Sequence, residues 1–134
     1  MTRTRYWPRA LQLWAPGIPQ IYYVGLLAGG NDMDLLARSN VGRDVNRHHY
    51  TREETDSDLR RPVVSALTRL IRFRNSHPAF DGTFTVTGEG SALLASWING
   101  DEIAELETDL ANREATVRWT SGGTRRSAPV SALP

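Results

Sequence analysis

Hydrophobic and polar positions along this chain change period three times, and each change marks a different kind of element. Residues 6–15, YWPRALQLWA, carry a short helical stripe of Tyr6, Ala10, Leu11 and Trp14, with Pro8 early, where a missing N–H costs little. Pro16-Gly17 ends it. Ile18, Ile21, Tyr22, Tyr23 and Val24 then form a nearly unbroken apolar run between Gly17 and Gly25. A strand apolar on both faces belongs inside a covered, usually parallel, sheet, and parallel strands need crossovers of a dozen or more residues. No second run of this kind occurs in the chain. The pattern therefore predicts one strand at 18–24 whose neighbours are encoded elsewhere.

A charged, glycine-punctuated excursion follows. Asn31 is the expected cap of a short helix, with Asp32 and Asp34 in its first turn, Met33, Leu35 and Leu36 buried, and Gly42 as its end. Thr51 and Glu54 have capping-box spacing. The strongest helix is predicted at 60–76, where Val63, Val64, Ala66, Leu67, Leu70, Ile71 and Phe73 make a wide apolar face and Arg69, Arg72 and Arg74 suit its C-terminal end. His77-Pro78 stops it. From residue 82 the period becomes two. Phe84 and Val86 alternate with threonines, 92–98 and 102–110 flank Asn99-Gly100, and Ala115, Val117 and Trp119 alternate up to Gly122-Gly123. The tail TRRSAPVSALP pairs at an edge or stays loose. The expected organisation is residues 1–80, ending in the long helix, then a small antiparallel β-domain over 81–134.

Composition adds bounds. The 134 residues contain no cysteine, so neither a disulfide framework nor a thiolate metal site is available, which fits a reducing cytoplasm. A formal net charge of +1 gives no general drive toward nucleic acid or membrane, and the Arg/aromatic cluster RTRYWPR at 3–9 is too short to change that. No apolar run approaches the roughly 18 residues of a spanning helix, and no signal core follows the basic N-terminus.

The segments GIPQIYYVG, AGGNDM, GRDVNRHHY and FDGTF resemble, in this order, the end of the catalytic barrel of sucrose phosphorylases and their close relatives in the α-amylase superfamily, glycoside hydrolase family 13. The resemblance covers residues 9–85 closely. It implies an α+β fragment: the last strand, a long loop and the last helix of a (β/α)8 barrel, followed by a small antiparallel β-domain. The activity implied for the parent is retaining glucosyl transfer from an α-glucoside such as sucrose to inorganic phosphate, with no further cofactor. The acceptor is left open between fructose, fructose 6-phosphate and glycerate.

Arg47 is the leading site residue. Arginine presents planar, fixed donors to carboxylates and hydroxyls, and loops after the carboxyl ends of barrel strands build active sites. Composition alone favours a structural arginine; the resemblance reverses this and implies contact with the far hydroxyls of the glucosyl unit, beside an acidic partner not in this chain. Arg43 and His48 are secondary candidates. Arg43-Asp44 reads more simply as a loop-shaping pair. Adjacent His48 and His49 share no face of a regular element, so no metal site is expected. Asp32 and Asp34, two apart, point in different directions and fit capping better than paired acid–base work. Tyr22 and Tyr23 are read as packing residues. Trp97 and Trp119 are read as inward-facing core, with sugar stacking as the alternative.

A retaining transglycosylase needs a carboxylate nucleophile and a carboxylic acid flanking the scissile bond. The family draws these from barrel strands upstream of this segment, so no catalytic residue carries over and the chain alone is expected to be inactive. Two other readings remain: a stand-alone carbohydrate-binding or protein-interaction module, and a piece that complements a separate N-terminal barrel fragment.

Overall fold

The computed structural model describes residues 6–134; residues 1–5, read as frayed, and the start of the 3–9 cluster lie outside the described residues. Helices α1 (Tyr6–Trp14), α2 (Tyr23–Leu26), α3 (Met33–Ser39), α4 (Arg52–Leu59) and α5 (Pro62–Ser76) precede strands β1 (Thr83–Glu89), β2 (Ala92–Asn99), β3 (Glu102–Asp109), β4 (Glu114–Ser121) and β5 (Thr124–Pro129), with 3-10 turns at Gly42–Asn46, Pro78–Asp81 and Val130–Ala132. The chain forms two compact units. One joins the residues up to Pro19 to Ala66–Pro134; the other is Gln20–Ser65.

The larger unit is built on a five-stranded antiparallel meander in the order β1-β2-β3-β4-β5. Glycine sets its turns. Glu89 pairs with Ala92, Asn99 with Glu102 and Ser121 with Thr124, so these three loops have two residues each, whereas Asp109 pairs with Glu114 across four. Gly90, Gly100, Gly122 and Gly123 take φ of +60°, +59°, +57° and +76°, which an L side chain adopts only at a cost. The tail thus pairs as β5 rather than staying loose.

Alternation along the strands puts Trp97, Ala104 and Trp119 in one cross-strand row and Ala95, Leu106 and Val117 in the next. All six are at most 7% exposed. The small Ala104 thus separates the two indoles across the strands. The core expectation for Trp97 and Trp119 therefore holds. Helix α1 buries Ala10, Leu13 and Trp14. The Trp14 indole stacks on Phe73 at 5.8 Å and meets Phe80 edge-on at 5.1 Å. It donates to the Ala104 carbonyl at 3.3 Å, while Trp97 Nε1 donates to the Trp14 carbonyl at 2.7 Å. Arg74 donates to the carbonyls of Leu13 and Gly17 at 2.7 and 3.3 Å and lies 4.4 Å over the Phe80 ring. Burial pushes its guanidinium pKa down, and the carbonyls and the ring face compensate part of the lost hydration.

His77 closes the end of α5. Its Nδ1 accepts from Ala79 N at 3.2 Å, so its Nε2 carries the proton donated to the Thr120 carbonyl at 2.8 Å. Gly82 then enters β1 so close to β2 that a Cβ there would strike the Ile98 carbonyl.

In the smaller unit the expected strand at 18–24 does not form. A strand needs a ladder partner, and the five strands of the described residues, none of which falls in this run, pair only with one another. Ile18, which belongs to the larger unit, is 92% exposed. Tyr22 is still extended, at φ −69° and ψ 143°. From Tyr23 the chain instead satisfies its own carbonyls by turning into α2, with Leu26 and Leu27 N–H donating to the Tyr22 and Tyr23 carbonyls.

The cap of α3 is Asp32, not Asn31, because Asp32 Oδ1 accepts from Leu35 N at 2.7 Å. None of Met33, Leu35 and Leu36 is fully buried, and Met33 is 60% exposed. The capping box on α4 forms as expected: Thr51 Oγ1 accepts from Glu54 N at 3.2 Å, and Glu54 Oε2 accepts from Thr51 N at 2.7 Å.

Candidate functional site

The charged excursion is organised by its helix caps. Residues 42–51 form a 3-10 turn and an extended connection between α3 and α4. Neither apolar burial nor a ladder holds this connection. Its hydrogen bonds do. Asp32 N donates to the Val45 carbonyl at 2.6 Å, Arg47 N donates to the Asp44 carbonyl at 3.1 Å, and the Tyr23 hydroxyl donates to the His48 carbonyl at 3.0 Å.

The Arg47 side chain is 45% exposed. Its Nη1 lies 3.8 Å from Asp44 Oδ1, a long local pair that leaves most of its donors available. Asp44, expected to pair with its neighbour Arg43, pairs one turn on with Arg47 instead, and Arg43 is exposed. The structure thus brings Arg43 and Arg47 onto one turn without joining them to a common ligand-sized contact.

His48 is the best-connected of the three candidates. Its Nδ1 is 2.6 Å from Asp32 Oδ2 and its Nε2 is 3.3 Å from Glu54 Oε1. With a carboxylate at each nitrogen, the doubly protonated ring satisfies both contacts. The Asp32 hydrogen bond raises the His48 pKa above its ordinary value, with Glu54 adding to it. In return the His48 hydrogen bond lowers Asp32, and the Thr51 backbone N–H lowers Glu54. The Tyr50 ring meets the imidazole edge-on at 4.6 Å, and burial raises its phenol pKa. Burial, followed by Tyr22, likewise raises Tyr23.

This geometry limits the chemistry. Neither imidazole nitrogen is free to act as a base, and the two carboxylates stand on opposite sides of the ring, so they cannot share a metal with it. Among the described residues no group of three His, Cys, Asp or Glu is placed to hold a metal ion. Asp32 uses both oxygens in local bonds, so Asp32 and Asp34 do not form an acid–base pair. A concavity of about 1010 Å³ is lined by Gly29, Gly30, Asp32, His48, Tyr50 and Arg61, among others, but not by Arg47. Arg61 borders it while donating to the Leu27 and Ala28 carbonyls at 3.1 and 3.4 Å. The exposed Arg47 guanidinium stands apart from this concavity, on the hydrogen-bonded loop.

Sequence spacing did not reveal Asp32 and Tyr23 as partners of His48, since they lie 16 and 25 residues away. Glu54 was traceable through its capping box, although its second oxygen's role was not.

No family model matches the chain. Individual proteins do. A sucrose phosphorylase of Agrobacterium vitis is 52% identical over 110 residues, covering 81% of this chain and 22% of that protein. A glucosylglycerol phosphorylase of Marinobacter adhaerens is 46% identical, covering 84% and 24%. The crystal structure of sucrose 6F-phosphate phosphorylase from Thermoanaerobacter thermosaccharolyticum superposes with a TM-score of 0.91 at 35% identity, over 96% of this chain and 26% of that one. The chain therefore spans about a quarter of the length of the relatives it matches. Its helices and five-stranded sheet are a piece of their fold. The chain belongs to the sucrose phosphorylase family, corresponding to a C-terminal portion of its members.

Proposed function

We propose that this chain is the C-terminal portion of an α-glucoside phosphorylase of the α-amylase superfamily, acting in the cytoplasm by retaining glucosyl transfer to inorganic phosphate. Residues 1–80 are the remnant of its (β/α)8 barrel, and residues 81–134 are its C-terminal β-domain. The observation that carries this reading is the similarity over most of the chain to phosphorylases whose names differ in one half of the substrate. Those names include sucrose, sucrose 6(F)-phosphate, glucosylglycerol and glucosylglycerate. The glucosyl half is common to them, so a segment similar to all of them fits the handling of that half.

Arg47 is the residue for this task. Its exposed guanidinium offers parallel donors to adjacent hydroxyls. Arg43 lies on the same turn and has a lesser part. Among the described residues no acid–base pair surrounds Arg47, and the chain is inactive alone; a separate barrel polypeptide is the partner that would complete it. The 92% exposure of Ile18 supports a surface that further strands cover. A stand-alone carbohydrate module loses its stacking platform, because Trp97 and Trp119 face the core. Incubating the purified chain with sucrose and phosphate tests the reading: no glucose 1-phosphate forms, and its release by this chain alone overturns it.

A further inference from the structure

We propose that His48 is the positioning residue for Arg47: its imidazolium, bridged between the cap of α3 and the capping box of α4, fixes the backbone from which the Arg47 side chain projects. The role assigned here rests on the reading of Arg47 as the glucosyl contact.

The argument is one of constraints on a segment without a core. Around Arg47, the Val45 carbonyl is bound by Asp32 N, the Arg47 N–H by the Asp44 carbonyl, and the His48 carbonyl by the Tyr23 hydroxyl. The His48 ring adds the link between the two ends. Asp32 holds α3 with Oδ1 and the ring with Oδ2. Glu54 holds Thr51 with Oε2 and the ring with Oε1. Each carboxylate thus serves a helix terminus and the imidazole together. The loop can shift only if a cap or a charge-assisted bond breaks. Arg47 itself contributes little to this frame, its one ion pair among the described residues being the 3.8 Å contact with Asp44. A side chain held by its neighbours and left with available donors is arranged for a ligand rather than for the fold.

Only the doubly protonated ring makes both bonds, so the frame depends on pH. The groups facing it are Asp32 from the α3 cap, Glu54 from α4, Tyr50 against the ring and Tyr23 on the His48 carbonyl. Arg38 acts on Asp32, and Arg47 is adjacent in sequence. As the pH rises through the His48 titration, one carboxylate contact is lost and the Arg47 loop loosens. A neutral side chain at position 48 would remove the transition altogether.

The full chain tests this with imidazole nitrogen NMR and amide exchange, from about pH 5 to about pH 9. Expected are a His48 that stays doubly protonated to higher pH than the ordinary histidine value of 6.5, and Arg47 and Asp32 amides whose exchange, corrected for intrinsic rates, accelerates about 10-fold as His48 deprotonates. Amides of β3 stay unchanged over that range. In His48→Gln the Arg47 amide exchanges fast at every pH, and in Glu54→Gln the transition moves to lower pH. Should a variant not fold, the wild-type titration decides. A His48 titrating at or below the ordinary histidine value of 6.5, or Arg47 protection indifferent to it, overturns the proposal. These readouts need no catalysis, so failure to reconstitute phosphorolysis would count against the role of Arg47 and not against the frame.

Discussion

Trp97 and Trp14 lie 83 residues apart, and the Trp97 indole N–H donates to the Trp14 carbonyl at 2.7 Å. Trp14 is the last residue of α1, where a helix leaves its carbonyls without internal partners. The bond therefore ties the first helix to the middle of the sheet. Trp97→Phe keeps the ring and removes the donor, leaving a buried carbonyl unpaired. We expect a loss of about 1–3 kcal/mol, read as a lower urea midpoint by tryptophan fluorescence. All four tryptophans, Trp7, Trp14, Trp97 and Trp119, belong to this larger unit.

Leu106 is fully buried between Ala95 and Val117 on the neighbouring strands. A strand in the centre of a meander cannot collapse into a void without breaking two ladders. Leu106→Ala is expected to cost about 2–5 kcal/mol, measured by the same unfolding curve.

Gly82 has an ordinary φ of −98°, so its requirement is space rather than conformation. A Cβ there meets the backbone of Ile98 and Asn99, which cannot rotate away as a side chain would. Gly82→Ala is expected to cost about 1–3 kcal/mol and to raise amide exchange at the β1–β2 edge.

The smaller unit should have its own pH window. His48 is raised from 6.5, so its contribution is complete below that value and is lost as the pH climbs through the folded value. Asp32 and Glu54 are lowered from 3.8 and 4.5, so theirs is complete above those values and is lost as the pH falls through the folded ones. All three contribute fully between 4.5 and 6.5. Tyr50 resonances, which report this unit, should melt at the highest temperature inside that range. The tryptophan signal should not follow the same profile.

Sequence showed the elements whose determinants are local. Asn99-Gly100 placed the β2–β3 hairpin, apolar spacing placed α5, and Thr51 with Glu54 placed the start of α4. The run at 18–24 was read as a strand because its side chains suit one, yet a strand is a property of pairs, and the sheet of the described residues consists of β1 to β5 alone. The Asn31–Asp32 cap was read one residue early, since both types cap and only the oxygen reaching Leu35 N decides. The His48 bridge was illegible because it joins residues 32, 48 and 54 through two helix ends whose spacing in sequence has no period.

In the function proposed above, this chain carries the glucosyl-holding arginine and, among the described residues, none of the reacting groups of a phosphorolytic site. The most direct measurement is glucose 1-phosphate release from sucrose and phosphate by three samples: this chain, the upstream three quarters of the Agrobacterium vitis sucrose phosphorylase, and their mixture. Release is expected from the mixture only, with Arg47→Ala in this chain reducing it at least about 100-fold, as loss of a charged donor to bound substrate would. Release by this chain alone, or a mixture indifferent to Arg47→Ala, would contradict it.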